Sequence, residues 1–200
     1  IEFIFKTIPN NKYFVEIGFG FHESNSLNLI KKNWEGRLVD FDIDETQALK
    51  TNLSYFFPKS KIDIINAKVI KDNINELVHP KNTIRKIDFF SLDIDGNDYW
   101  VLNALDLTNI KVICCEYNHW LGPEKKLSLK YDPNFSFIDN GIWGASLLAF
   151  TELLKEREFS LVALDSSGTN AFFVNKKYID FFEVLSPVKN FISVGRFYND

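Results

Sequence analysis

The chain has 200 residues, of which 46% are hydrophobic, 25% charged and 16% aromatic, a size that buries one core but is short for two ordinary domains. Its 23 Lys and Arg face 27 Asp and Glu, for a net charge of -4, the opposite of the basic balance expected of a nucleic-acid-binding protein. No apolar run approaches the roughly 18 residues of a membrane span, and no segment resembles a signal peptide. We therefore predict one soluble, cytoplasmic domain over residues 1–200, without nucleic-acid or membrane partners.

Five short runs rich in β-branched and aromatic residues predict five strands, at 13–18, 37–41, 62–65, 87–92 and 112–115. The stretches between them carry helix signals, at 24–32, 44–56, 73–78 and 97–105. In the second of these stretches we predict Asp44 as the N-cap, with Glu45 in the first turn. Strand followed by helix, repeated, predicts a parallel sheet covered on both faces.

The two cysteines, Cys114 and Cys115, are neighbours inside the fifth apolar run. They cannot link distant segments and are too few for a zinc site, which is consistent with a reducing compartment. The sequence begins with Ile1 and contains no Met. We therefore expect the native start to lie upstream, or a leader to have been removed.

The alternation of strand and helix ends after the fifth predicted strand. Residues 118–142 form a loop longer than an ordinary connection, which we expect to carry substrate contacts. An amphipathic helix follows, and one stripe of it contains Trp143, Leu147, Phe150 and Leu154. Two apolar runs, 160–164 and 171–175, then flank the turn residues 165–168. They predict a β-hairpin, so that the sheet finishes antiparallel.

In an open α/β sheet, ligands bind beyond the carboxyl ends of the strands, and the first predicted strand leads there into Gly18-Phe19-Gly20. A glycine turn at this point allows a ligand to approach the backbone closely, although a simple tight turn explains it equally well. The dinucleotide fingerprint requires a third glycine at position 23, which is Glu23 in this chain. A loop that binds a pyrophosphate is therefore disfavoured.

Three acids lie at or near the ends of the first two strands. Asp42 follows the glycines by roughly twenty residues, where a carboxylate accepts both ribose hydroxyls of a nucleoside; a helix cap is the alternative. Asp40 is a weaker candidate because it precedes the strand end. Glu16 is costly to bury unless it meets a donor, either a ligand ammonium group or loop amides. We assign Glu16 to the ligand site in preference to a structural salt bridge.

The stretch FVEIGFG followed by Asp42 resembles the first two motifs of class I methyltransferases that use S-adenosylmethionine (SAM). The stretch IDFFSLDIDGNDYWVLNAL, at 87–105, is similar to the I-D-x-x-K-I-D-x-E-G signature of FkbM-type methyltransferases. Asp93 matches the second Asp of that signature, Asp95-Gly96 stands in place of Glu-Gly, and Ser91 or Leu92 replaces the Lys. The stretches VICCEYNHWLGPEKKLSLKYDPNF and SLVALDSSGTNAFFVN also resemble an FkbM-like branch, so the resemblance extends over residues 13–175.

The resemblance implies a Rossmann-like, doubly wound α/β sheet of seven strands, mostly parallel with an antiparallel C-terminal hairpin. It implies that SAM binds across the ends of the first strands, and that the acceptor is a hydroxyl of a small molecule or glycan. The implied cofactor residues at the strand ends are Glu16, Gly18, Gly20, Asp42 and Asp93.

Three further residues extend the predicted cofactor site. Asn25 opens the first helix, where donors meet the carboxylate of the methionine moiety, although helix capping is an equal alternative. Asn66 follows the third strand, within reach of the adenine edge, and loop capping is its alternative. His22, near the glycine turn, is expected to line the cofactor pocket.

Methylation of a hydroxyl requires a group that accepts its proton, and we predict His119 in this role, with Asp93 and Asp95 as rivals. A second option places Asp93, Asp95, Glu116 and Asn118 around Mg²⁺. Its alternative is that Asp93 orients the loop through backbone amides and Glu116 pairs with a base. The sequence leaves the use of a metal open.

The acceptor surface is expected to include Tyr117, Asn118, Trp120 and the pair Lys125-Lys126, although such a pair is more often a solvated face. Two other functions stay open. One is an NAD(P)-dependent Rossmann oxidoreductase, and the other is a non-catalytic interaction module that retains the fold. The sequence leaves the oligomeric state open as well.

Overall fold

The computed structural model describes residues 1–20, 24–80, 85–138, 141 and 143–192, so His22 and Glu23 lie outside the described residues. Among the described residues the strands are β1 (Tyr13–Ile17), β2 (Glu35–Asp40), β3 (Ile62–Asn66), β4 (Ile87–Leu92), β5 (Ile110–Glu116), β6 (Phe159–Leu164) and β7 (Asn170–Asn175). The helices are α1 (Glu2–Thr7), α2 (Leu27–Lys31), α3 (Ile43–Phe56), α4 (Ile74–Val78), α5 (Asp98–Ala104) and α6 (Leu147–Glu156). Two 3₁₀ helices lie at His119–Leu121 and Lys176–Phe181. No helix in the described part of the chain is long and apolar enough to cross a membrane.

The strands form a seven-stranded sheet in the order β3-β2-β1-β4-β5-β7-β6. β1 pairs in parallel with β2 and β4, and β2 pairs in parallel with β3. β6 and β7 are antiparallel, with an irregularity between Leu161 and Ala163. The predicted Rossmann-like α/β sheet, mostly parallel with an antiparallel C-terminal hairpin, is confirmed. β1 has β2 as its neighbour on one side and β4 on the other, so the strand order reverses beside β1. Open α/β sheets bind ligands at such a reversal.

Contacts divide the chain into two compact units. The first comprises Ile1–Ile94 and Trp100–Ile113, and the second comprises Asp95–Tyr99 and Cys114–Asp200. In the first unit, all six residues of β4 are buried, as expected for a strand of a parallel sheet that is covered on both faces. A single domain over residues 1–200 stays a prediction.

A buried ion pair joins three segments of the first unit. Asp88 of β4 is fully buried, and its Oδ2 accepts hydrogen bonds from the backbone amides of Asn11 and Tyr13, at 2.8 and 3.1 Å. Its Oδ1 lies 2.7 Å from the Nζ of Lys111 on β5. Lys111 also donates a 2.8 Å hydrogen bond to the carbonyl of Pro9. The pair therefore fixes the chain that enters β1 against β4 and β5.

Two predicted boundaries are wrong in ways that matter for the site. β2 ends at Asp40 rather than at residue 41, because its register with β3 pairs Asp40 with Asn66. The chain then turns early, and Asp42 rather than Asp44 is the N-cap of α3. The Oδ1 of Asp42 accepts hydrogen bonds from the amides of Asp44 and Glu45, at 2.8 and 3.1 Å.

The second unit contains α6 and the β6–β7 hairpin. Ser146 caps α6, since its Oγ accepts a 3.2 Å hydrogen bond from the amide of Ala149. The same hydroxyl donates to the carbonyl of Lys125 at 2.6 Å and accepts from the amide of Leu127 at 3.1 Å, which fixes the long loop where it enters the helix. Three members of the predicted apolar stripe, Leu147, Phe150 and Leu154, lie on α6 and are buried, whereas Trp143 is buried but precedes the helix.

Candidate functional site

The glycine turn follows β1 in the first unit, and Gly18 has a packing reason to be glycine. Its φ is +74°, and a Cβ there would lie 1.5 Å from the carbonyl oxygen of Asp93. The amide of Gly18 donates to the carbonyl of Val39, and the amide of Asp93 donates to the carbonyl of Ile17, both at 2.9 Å. The ends of β1, β2 and β4 are therefore too close for any side chain at position 18, whatever ligand the turn binds. The cofactor roles of Gly18 and Gly20 stay predictions.

Asp40 fixes the same turn, a role that sequence analysis missed. The residue is 8% exposed, and its Oδ2 accepts a 3.3 Å hydrogen bond from the amide of Phe19, inside the glycine turn. Its Oδ1 accepts a 2.7 Å hydrogen bond from the amide of Asp42. Burial raises the pKa of Asp40, while these two amides act in the opposite direction. The available signal was a carboxylate at the last position of a buried strand, which must find donors.

Asp42 is half-buried, and its carboxylate is the N-cap of α3. Both cap hydrogen bonds go to Oδ1, so the cap does not use Oδ2. A cap and a ribose contact are therefore compatible at this residue. Its neighbours Phe41 and Ile43 are 72% and 51% exposed, which puts apolar surface on both sides of the carboxylate.

Glu16 is buried in β1 and meets loop groups, one of the two kinds of donor expected for it. Its carboxylate accepts hydrogen bonds from the amides of Asn25 and Ser26, at 2.7 and 3.2 Å, and from the Ser24 hydroxyl at 3.0 Å. The hydroxyl of Ser26 donates a further hydrogen bond to it. Burial raises the pKa of Glu16, and these hydrogen bonds oppose the shift. Glu16 thus orders the segment that leads into α2.

A pH-dependent part of the stability is expected to come from Glu16. Because burial raises its folded-state pKa above the ordinary value of 4.5, the folded state favours the protonated acid. The stabilisation that comes from this pKa difference at Glu16 is complete at a pH below the unfolded-state pKa. It is lost as the pH rises through the folded-state pKa. Glu16→Gln removes this titration, so the stability of wild type relative to the variant should fall over that window. Urea unfolding at a series of pH values measures it, and a constant difference would contradict the prediction.

The two predicted asparagines bind protein groups in the first unit. The Nδ2 of Asn25 donates a 3.1 Å hydrogen bond to the Oγ of Ser91 on β4. Asn66 donates to the carbonyls of Phe41 and Asp40, at 2.9 and 3.2 Å, and so fixes the turn between β2 and α3. Asn66 therefore caps this loop, which is the alternative to an adenine contact that the sequence analysis gave. Contacts of either side chain with a cofactor stay predictions.

His119 and Asn118 lie just beyond β5 in the second unit. Asn118 is fully buried, and its Nδ2 donates to the carbonyls of Trp143 and Gly141, at 2.9 and 3.1 Å. Its Oδ1 accepts from the amide of Trp120 at 3.0 Å. The Asn118 side chain therefore organises the loop and is not part of an exposed acceptor surface. His119 begins the 3₁₀ helix, half-buried, with its ring edge-on to Trp120.

Asp95 and Glu116 are close to each other in the second unit. Asp95 is exposed, Glu116 is half-buried at the end of β5, and one carboxylate oxygen of each lies within 4.8 Å of the other. Two negative charges at this distance repel, and a proton or a cation between them relieves the repulsion. Asp93, which matches the second Asp of the FkbM-type signature, follows β4 in the first unit, where its amide donates a hydrogen bond to the carbonyl of Ile17 at the end of β1.

A cavity of about 260 Å³ lies elsewhere in the first unit, where β1, β2 and β4 begin. Its charged side chains are paired with one another. Arg37 lies 2.7 Å from Asp63, and Glu35 lies 2.7 Å from Lys61 and 2.6 Å from Arg85. Because its cations already have anionic partners, this cavity is a poor candidate for binding a charged ligand.

No family model and no curated protein matches the chain. Solved structures do match. The N-terminal domain of EvdMO1 with SAH bound aligns at 9% identity and a TM-score of 0.53, covering 86% of this chain and 76% of that one. The magnesium protoporphyrin IX methyltransferase ChlM from Synechocystis PCC 6803 with bound SAH aligns at 9% identity and a TM-score of 0.52, covering 84% of this chain and 75% of that one. A candidate caffeoyl-CoA O-methyltransferase from Staphylococcus aureus aligns at 13% identity and a TM-score of 0.54, covering 82% of this chain and 76% of that one. The chain has the class I methyltransferase fold.

The predicted residues fall into two groups within this methyltransferase fold. The first unit brings together Glu16, Gly18, Asn25, Asp42 and Asn66, all close to the carboxyl ends of β1, β2 and β3. The second unit contains Asp95, Glu116 and His119, at or after the turn into α5 and the end of β5. Within the first unit this arrangement follows from the parallel sheet, because the carboxyl ends of neighbouring parallel strands lie at the same edge.

Proposed function

We propose that this chain is a SAM-dependent O-methyltransferase of the FkbM-like type, acting on a hydroxyl of a small molecule or glycan. The observation that carries the proposal is the arrangement of acids around the glycine turn. Glu16 and Asp40 accept hydrogen bonds from the protein's own loops, which orders the turn. Asp42 keeps one oxygen outside its helix cap, and that oxygen is available to a nucleoside.

Two chemical features around Asp42 suit adenosine. A carboxylate at this strand end accepts ribose hydroxyls. The exposed side chains of Phe41 and Ile43 offer apolar surface to a flat base, and stacking of a base on an aromatic ring contributes about 1–3 kcal/mol. Two structures that share this fold, EvdMO1 and ChlM, contain SAH (S-adenosylhomocysteine), the molecule that SAM becomes when it loses its methyl group, and this supports the same choice of cofactor.

Bound SAM supplies a methyl group already activated by the sulfonium. The protein has to place the acceptor oxygen in line with that methyl and exclude water. Methyl transfer from that cofactor to a hydroxyl would also require a base on this chain that takes up the hydroxyl proton. His119 is the first candidate and Asp93 or Asp95 the second. Mg²⁺ is an open alternative for the acceptor side, because Asp95 and Glu116 offer the hard oxygen ligands that it prefers.

Asp42→Asn tests the assignment of the ribose contact, because Asn retains the helix cap and loses the charge. We expect SAM to bind the variant about 10–150-fold more weakly, since hydrogen bonds to a charged group contribute about 1.5–3 kcal/mol. Isothermal titration calorimetry with SAM and SAH, with and without Mg²⁺, measures this effect. Asp44→Asn changes the neighbouring acid of the same helix turn and should bind SAM as the wild type does.

Each other result has a definite meaning. Unchanged binding in Asp42→Asn would remove Asp42 from the cofactor site. Binding of NAD(H) in place of SAM would favour the oxidoreductase. Failure of SAM and SAH to bind at millimolar concentration would favour the non-catalytic module.

A further inference from the structure

A short segment of the long loop packs on the turn before α5, within the second unit. We call residues 132–135 the strap. The Nδ2 of Asn97 donates a 2.7 Å hydrogen bond to the carbonyl of Asp132, and the amide of Asp132 donates a 3.2 Å hydrogen bond to the Oδ1 of Asn97. One buried side chain thus binds both backbone groups of a single strap residue.

The ring of Phe135 is the second contact between the strap and the turn. A Cβ built on Gly96 would lie 2.3 Å from the Cδ1 of Phe135 and 2.6 Å from its Cε1. Gly96 is not among the glycines with positive φ, so its backbone conformation is open to other residues. The aromatic ring, and not the local conformation, explains why this position is glycine.

The turn beside the strap has an uncommon backbone conformation. Asp95 has a φ of +55°, in the left-handed region that residues with a side chain seldom adopt, although Asp does so more often than most. The adjacent amide of Gly96 donates a 2.8 Å hydrogen bond to the Oδ2 of Asp98. Such a conformation persists when the surrounding structure determines it, and the strap supplies two of the contacts that do so.

We propose that Phe135 and Asn97 are positioning residues, which fix the turn so that the Asp95 carboxylate lies beside Glu116. The proposal rests on the proposed function, since it concerns the acceptor side of that enzyme. In this proposal the long loop determines the position of the Asp95 carboxylate, which lies on the side of the acceptor. The binding of SAM depends on residues of the first unit and not on the strap.

Hydrogen exchange of the peptide over residues 95–99 tests the contact without any acceptor. We expect exchange about tenfold faster or more in Phe135→Ala and in Gly96→Ala. Phe137→Ala is the matched control, because Phe137 lies on the same loop and is 47% exposed; its exchange should equal that of the wild type. Phe135→Leu, which keeps an apolar side chain, provides a milder variant if Phe135→Ala unfolds.

The double variant Gly96→Ala/Phe135→Ala distinguishes the contact from general damage. Once the ring is absent, the new Cβ has nothing to displace, so the double variant should exchange no faster than Phe135→Ala alone. Additive effects would overturn the proposal, and so would unchanged exchange in both single variants.

Turnover separates this proposal from the proposed function. In Phe135→Ala we expect the Kd for SAM to stay within about twofold and kcat for methyl transfer to fall about tenfold or more. Wild-type kcat in a variant with fast exchange would overturn the positioning role while leaving the methyltransferase assignment intact. If the wild type does not bind SAM, the proposed function fails, and the exchange data still decide whether the strap orders the turn.

Discussion

Gly18→Ala is expected to lower the free energy of unfolding by about 2–5 kcal/mol. The left-handed conformation, with φ of +74°, costs a residue with a side chain about 1–2 kcal/mol. The new Cβ would also lie 1.5 Å from the carbonyl oxygen of Asp93, and relieving such overpacking costs about 1–3 kcal/mol more. The displaced atoms belong to the backbone of Asp93, directly after β4, so no side-chain rotation can absorb the contact. Urea unfolding followed by circular dichroism measures the loss.

Gly144→Ala is the matched control for this prediction. Gly144 also has a positive φ, +56°, and nothing lies within 4 Å of a Cβ built there. We expect a loss of about 1–2 kcal/mol, from the conformational cost alone. The difference between the two losses in free energy of unfolding measures the cost of the close contact between the end of β1 and the end of β4. Equal losses would mean that the strand ends separate easily and that Gly18 has only a conformational role.

Lys111→Met is the second variant with a large expected effect, a loss of about 3–5 kcal/mol in the free energy of unfolding. It leaves the carboxylate of Asp88 buried without its cation, and breaking a buried pair on one side is strongly destabilising. Asp88 also accepts hydrogen bonds from the amides of Asn11 and Tyr13. The segment that leads into β1 should therefore become less ordered as well. Urea unfolding measures the stability, and hydrogen exchange of residues 9–13 measures the local effect.

Two controls accompany Lys111→Met. Asp88→Asn/Lys111→Met removes both charges and should be more stable than Lys111→Met alone, because no unpaired charge stays buried. Lys176→Met breaks a pair with Glu158 whose side chains are 45% and 67% exposed, and it should cost less than about 1 kcal/mol. A double variant no more stable than Lys111→Met would show that lost packing, and not the unpaired charge, causes the destabilisation.

The strands were predictable because the signal for them is local. A run such as 87–92 is apolar throughout, and a strand that is buried on both faces needs such a run. The C-terminal hairpin was predictable for a similar reason, since Asp165 begins a turn rich in Ser and Gly between two apolar runs. α1 was not predicted, because it is short and only Ile4 of its residues is buried.

The N-cap of α3 shows where local reasoning ends. Asp42 and Asp44 both carry the side chain that a cap requires, and sequence alone favoured the second. The register of β2 with β3 ends the strand at Asp40, and this places Asp42 at the start of the helix. Strand pairing, a contact between residues distant in sequence, decided between two locally equivalent acids.

Sequence alone determined the order of strands and helices and the polar character of the strand ends, because hydrophobic periodicity and turn residues act over a few neighbours. The partner of each buried polar group depended on tertiary structure. Glu16 meets the loop amides of Asn25 and Ser26, and Asn97 meets the backbone of a distant loop. Gly96 must be small because a ring from that loop lies against it. Hydrogen bonds and van der Waals contacts act over a few ångströms, so their partners exist only after distant segments have packed together.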